Sequence, residues 1–121
     1  MENEKIVIIS TIGQESHEKA TLPFVIATSS QSVDVEVVMF LQSNAVVLAK
    51  KGEAEKVKAH GLLTLNELLE AFMDMAGKLY LCSPCIKERN IDTNDLVEGG
   101  ELAAAGTLVD EILSAKSVVT Y

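Results

Sequence analysis

Lys78-Leu79-Tyr80-Leu81-Cys82-Ser83-Pro84-Cys85-Ile86-Lys87-Glu88-Arg89-Asn90 changes character half-way along. The first five residues read as a short buried strand. Ser83-Pro84 then break it, because proline fixes φ and donates no ladder hydrogen bond yet is well tolerated in the first turn of a helix. A helix is therefore expected from about Pro84. Strand, tight turn and helix in that order form the repeating piece of a parallel α/β sheet. Cys82 falls at the tip of the strand and Cys85 in the first helical turn, where free backbone N–H groups and the positive helix end favour an anion such as a thiolate. Lys87 and Arg89 add positive charge, which Glu88 partly offsets. Cys85 is the candidate reactive sulfur, with Cys82 beside it.

Upstream, Thr64-Leu65-Asn66-Glu67 has the form of a capping box, and Leu65, Leu68, Leu69, Phe72 and Met73 make a helical stripe that Gly77 closes. Ile6-Val7-Ile8-Ile9-Ser10 is continuously apolar, as in a central parallel strand buried on both faces. A helix is expected over Ser16–Ser30, with Pro23 either kinking it or marking its true start. Val33–Leu41 reads as a second strand, Gln42-Ser43-Asn44 as a turn, and Ala45–Lys50 as a helical segment stopped by Gly52. Glu53–His60 reads as an exposed or mobile loop. Downstream, Asp92-Thr93-Asn94-Asp95 is a connection, Gly99-Gly100 a flexible turn, Glu101 to about Ala115 a last helix, and Ser117–Tyr121 a terminal strand.

The expected fold is α/β, a three-layer α/β/α arrangement around a mainly parallel sheet of about five strands, in one domain over residues 1–121. Ligands of such sheets bind beyond the carboxyl ends of the strands. Ser10-Thr11, Gln42-Ser43-Asn44 and Cys82-Ser83-Pro84-Cys85 all fall there, so Ser10, Thr11, Gln42, Ser43, Asn44 and Ser83 are candidate residues around the two cysteines.

With 121 residues, 18 acidic and 10 basic side chains and a formal charge of −8, the chain is poorly suited to bind nucleic acid or an anionic membrane. The charged start, Met1-Glu2-Asn3-Glu4-Lys5, precedes an apolar run only one strand long, so neither an export signal nor a membrane span is expected. A cytoplasmic setting follows, in which a cysteine pair is expected to be reactive rather than a structural disulfide. Zinc would need two further ligands, and His17 and His60 have no finger-like spacing, so no metal is expected. No phosphate-binding glycine fingerprint is present, and no cofactor is expected. Two bland readings stand beside the reactive one: the cysteines are small packed residues, or the histidines are solvated surface groups.

Ile6–Ser10, Val35-Glu36-Val37-Val38-Met39-Phe40, Leu68–Gly77, Leu81-Cys82-x-x-Cys85-x-x-x-Arg89-Asn90-Ile91 with Asp95-Leu96 after it, and the Ser117–Tyr121 ending together resemble the DsrE-like family, which includes sulfur-relay subunits related to TusD. The likeness spans nearly the whole chain. It implies a small bacterial or archaeal cytoplasmic α/β/α protein that assembles as a homotrimer or hexamer, with sulfur donor and acceptor proteins as partners. By position in the motif, Cys85 is the residue that would carry a persulfide; Cys82 is an additional cysteine that only some relatives have. A thioredoxin-like Cys-x-x-Cys oxidoreductase is the first alternative, although no proline follows Pro84 to serve as the cis-proline of that fold. A non-catalytic oligomeric binding module is the second.

Overall fold

The computed structural model describes residues 4–121. Met1, Glu2 and Asn3, which open the charged N-terminus, lie outside the described residues. Five strands, β1 (Lys5–Ser10), β2 (Glu36–Leu41), β3 (Lys78–Cys82), β4 (Gly100–Ala103) and β5 (Ser117–Thr120), form one sheet in the order β4-β3-β2-β1-β5, and every pairing is parallel. The α-helices are α1 (His17–Gln31), α2 (Leu65–Asp74), α3 (Ser83–Glu88) and α4 (Ala105–Ser114). The α/β fold expected from the strand–helix alternation is therefore the observed one.

The apolar alternation in β2 sorts its two faces. Val37, Met39 and Leu41 join Ile8, Leu79 and Leu81 against Phe24 of α1 and Leu65, Leu68, Leu69 and Phe72 of α2. On the other face Phe40 meets Tyr80, with ring centroids 5.9 Å apart. The chain steps outward from β1 through β2 and β3 to β4, then returns through α4 to place β5 on the far side of β1. Reversing the direction of travel while keeping crossovers right-handed moves the connecting helix to the opposite face. α4 accordingly packs against β1 and β4.

α1 continues through Pro23 instead of starting there. Ser16 caps it by accepting from the Lys19 N–H at 3.2 Å, and Pro23 is itself buried against the sheet. At α2 both halves of the capping box form, Glu67 N–H to Thr64 Oγ1 and Thr64 N–H to Glu67 Oε2, each at 3.3 Å.

Four stretches differ from the conformation their sequence suggests. Val33-Asp34, expected to open the second strand, is a turn with Asp34 at φ 65°, and β2 begins only at Glu36. The segment after Gln42 is a 3₁₀ helix over Ser43–Ala49, not an α-helix from Ala45. Its buried residues Ala45 and Leu48, and Val46 and Ala49, recur every three positions, the period of a 3₁₀ turn. Glu53–His60 is anchored instead of forming a loose loop. Ala54 and Val57 are buried between the charges, and the Leu65 N–H donates to the Val57 carbonyl at 3.0 Å. Gly100-Glu101-Leu102-Ala103 is strand β4, and the last helix starts only at Ala105. Glu, Leu and Ala favour a helix locally, but the outer edge of β3 offers a row of unpaired backbone groups, and pairing with it decides the conformation.

Candidate functional site

Three turns at the carboxyl ends of β1, β2 and β3 come together. Cys82 ends β3 and is the residue that precedes α3, with Ser83 and Pro84 in the first turn and Cys85 just after them. Both thiols are free and half-buried. The donor that reaches the Cys85 sulfur is not an amide of its own six-residue helix. It is the Ser43 backbone N–H, from the turn after β2, at 3.2 Å. Ser43 has φ 53°, a left-handed conformation that a non-glycine side chain adopts only when its surroundings hold it there.

Polar contacts around Asn44 supply those surroundings. Arg89 donates from Nε (3.1 Å) and Nη2 (2.8 Å) to Asn44 Oδ1, and from Nη1 to the Cys85 carbonyl at 3.2 Å. Asn44 Nδ2 donates to Glu15 Oε2 at 3.3 Å, and the other oxygen of Glu15 accepts the Gly13 N–H at 3.0 Å. Gly13 lies flush with the next loop: a Cβ there would stand 2.3 Å from the Asn44 carbonyl oxygen.

Of the residues expected around the cysteines, Ser83, Ser43 and Asn44 are brought to them. Gln42 joins the β1 end through its N–H, which donates to the Ser10 carbonyl at 2.9 Å. Ser10 is fully buried, and its hydroxyl has no hydrogen-bond partner among the described residues. Thr11 turns the other way, its hydroxyl donating to the Tyr121 carbonyl at 2.9 Å on the β5 side of β1. His17 Nδ1 accepts the Lys58 N–H at 3.3 Å, and His60 is exposed. Among the described residues no group of three His, Cys, Asp or Glu side chains is placed to hold a metal ion. Grooves of about 440 Å³, lined by Lys5, Gln31, Lys78 and Glu111, and about 750 Å³, lined by Glu70, Met73 and Val97, open elsewhere on the surface, away from both cysteines.

Glu15 and Gly13 hold the site together without standing out in the sequence, and Arg89 does more there than add positive charge. Their signals are faint. Arg89 follows Cys85 by four residues, which sets it over the Cys85 carbonyl in a helix, and Gly13 is the lone glycine after the first strand.

Burial pushes the Cys82 thiol up and its side-chain hydrogen bond with Cys85 adds to the rise; a hydrogen bond from the Cys85 backbone opposes it, and the nearby Arg89 charge does so more weakly. A raised value keeps Cys82 protonated at neutral pH. Iodoacetamide labelling of Cys82, followed by peptide mapping between about pH 6 and pH 10, should therefore reach half its maximum at a higher pH than an unstructured cysteine peptide labelled alongside, whose thiol titrates at about pH 8.5. A midpoint at or below that of the peptide would contradict the assignment.

Residues 4–121 match the DsrE/DsrF-like family. The chain belongs to that family. It is 29% identical over 117 residues to the uncharacterized protein MJ0989 of Methanocaldococcus jannaschii, covering 97% of this chain and 99% of that one. It is 30% identical over 107 residues to the uncharacterized protein MJ0760 of the same organism, where it covers 88% of this chain but spans only 39% of the relative. The crystal structure of the Escherichia coli YchN protein superposes with a TM-score of 0.84 at 25% identity, covering 98% of this chain and 99% of YchN. The DsrE/DsrF-like chain described here thus shares fold and length with YchN. No helix among its described residues is long and apolar enough to cross a membrane.

Proposed function

We propose that this DsrE/DsrF-like protein is a sulfur carrier, with Cys85 holding sulfane sulfur as a persulfide between a donor and an acceptor protein. The observation that carries the reading is the Ser43 N–H aimed at the Cys85 sulfur in a chain of this family. In loading, the Cys85 thiolate attacks the outer sulfur of a donor persulfide; the new S–S bond forms on Cys85, the donor S–S bond breaks, and the donor leaves as a thiolate. In transfer, an acceptor thiolate attacks the outer sulfur and Cys85 leaves as the thiolate. Cys85 is a thiolate at the start of loading and at the end of transfer, and in both an N–H donor stabilises the charge on its sulfur. Placement of the cysteines outside the larger grooves suits a protein partner that brings its own thiol.

Cys82 supports a second outcome of the same site. Its thiolate, attacking the inner sulfur of a Cys85 persulfide, would close a Cys82–Cys85 disulfide and release hydrosulfide, and without cargo the pair would act as a dithiol oxidoreductase. The raised Cys82 value makes this the slower route at neutral pH.

Cold cyanolysis tests the carrier reading. After incubation with a polysulfide and removal of excess, wild type and Cys82→Ser should each release about one thiocyanate per chain, and Cys85→Ser none. Equal release from Cys85→Ser would overturn the assignment.

A cytoplasmic homo-oligomer, trimer or hexamer, is proposed as the working form. Support comes from the thinly covered α4 side, where Val109 is 51% and Leu113 79% exposed, and from Leu102, Val118 and Tyr121, which are also exposed. With −8 net charge, neither nucleic acid nor a membrane is proposed as a partner. Leu113→Glu combined with Val109→Glu should lower the mass measured by light scattering to that of a monomer while leaving the helical circular dichroism intact. An unchanged mass would place the interface elsewhere.

A further inference from the structure

The Ser43 N–H donates to a sulfur 42 residues away in sequence, and Ser43 does so in a left-handed conformation. Something has to hold it there. Gln42, before it, is extended and pinned by its N–H on the Ser10 carbonyl. Asn44, after it, is clamped on both sides of its amide: Oδ1 by two N–H groups of Arg89, Nδ2 by Glu15. Arginine can only donate and an ionised carboxylate can only accept, so the partners fix which way the amide points. The chain is anchored at one end on the carbonyl of Cys85 itself, through Arg89 Nη1, and at the other on the Gly13 N–H, through Glu15. Ser43 hangs between the two anchors.

We propose that Glu15, Asn44 and Arg89 are positioning residues for Cys85: their hydrogen-bond chain holds the Ser43 N–H on the Cys85 sulfur and so sets how readily that sulfur reacts. None of the three has a hydrogen bond to the sulfur. The inference deepens the carrier reading, since it assumes Cys85 to be the reacting thiol, but it can be measured without sulfur cargo. Any electrophile that consumes the Cys85 thiolate reports on the donor.

The experiment is peptide-mapped labelling of the full chain by iodoacetamide at one near-neutral pH, with added glutathione in the same tube as the reference thiol, because the Arg89 charge also bears on Cys82, and thermal melting as the check on folding. Asn44→Asp keeps the acceptor for Arg89 but turns a carboxylate oxygen toward Glu15, so two acceptors of like charge meet. It should slow Cys85 about threefold, the loss expected when one neutral N–H donor to the reacting sulfur goes. Arg89→Met should slow it by a similar factor. Adding Glu15→Gln to Asn44→Asp restores a donor facing the new carboxylate and should return most of the lost rate, which a merely structural defect would not do. Folded Asn44→Asp and Arg89→Met proteins with unchanged Cys85 rates would overturn the proposal, as would a folded double variant without recovery. If the wild type takes up no sulfur yet shows this labelling pattern, the carrier reading fails and the positioning chain stands. Sulfur uptake on Cys85, with labelling rates indifferent to all three residues, would instead keep the carrier and remove the positioning chain.

Discussion

Phe72→Ala is expected to lower the unfolding free energy by about 3–5 kcal/mol, the range for emptying a large aromatic site in a close-packed core. Phe72 is fully buried and meets Phe24 edge to face, with centroids 6.1 Å apart and planes at 87°. This contact joins α2 to α1 over the sheet. The chain holds only three phenylalanines and no tryptophan, and the neighbouring ring, Phe24, is itself fully buried in the core. Gly77 has no side chain to move in either: it lies so close that a Cβ there would stand 2.4 Å from the Phe72 ring. Urea unfolding with the slope unchanged and the midpoint sharply lower is the expected result. A loss below about 1 kcal/mol would mean that α1 and α2 are not held together mainly by this pair.

Gly13→Ala should cost about 1–3 kcal/mol and also disturb the cysteines, although residue 13 touches neither. The reason is geometric. The atom a Cβ would strike, at 2.3 Å, is the backbone carbonyl oxygen of Asn44, with its carbon at 2.9 Å, and backbone cannot swing aside as a side chain can. The loop after β2 would have to retreat, and the Ser43 N–H would retreat from Cys85 Sγ with it. Slower labelling of Cys85 relative to Cys82, together with a lower melting temperature, is the expected pair of results. A stability loss with unchanged Cys85 labelling would show that the two loops are not mechanically linked.

Features written into one stretch of chain are legible in the sequence. Ile6–Ser10 shows that it lies inside the sheet, flanked by β2 and β5, because an interior parallel strand is covered on both faces and has no polar alternation, although the middle strand is β2. Thr64 and Glu67 announce the start of α2, since a capping box is closed by residues three apart. Ser83-Pro84 mark the change from β3 to α3 for the same local reason, and the positions of Cys82 and Cys85 follow from it.

What depends on partners distant in sequence is not legible. Gly100–Ala103 has helix-forming residues and becomes a strand because the edge of β3 is there to pair with. Ala54, Val57 and Ala59 are too small and too interrupted by charge to look like core, yet they pack under α2. Asn44 reaches 45 residues forward to Arg89 and 29 back to Glu15, and no spacing rule joins positions so far apart. Sequence spacing alone also puts the anion-favouring amides in the helix of Cys85, whereas the amide that donates to its sulfur belongs to Ser43.

The central claim is that Cys85 carries sulfur. Intact-mass spectrometry of the native protein after incubation with a sulfane-sulfur donor tests it most directly, with wild type, Cys85→Ser and Cys82→Ser compared and the modified peptide sequenced. The expected result is a gain of one sulfur atom that maps to Cys85, persists in Cys82→Ser and is absent from Cys85→Ser. A loss of two hydrogens with no sulfur gained, or a protein left unchanged, would contradict it.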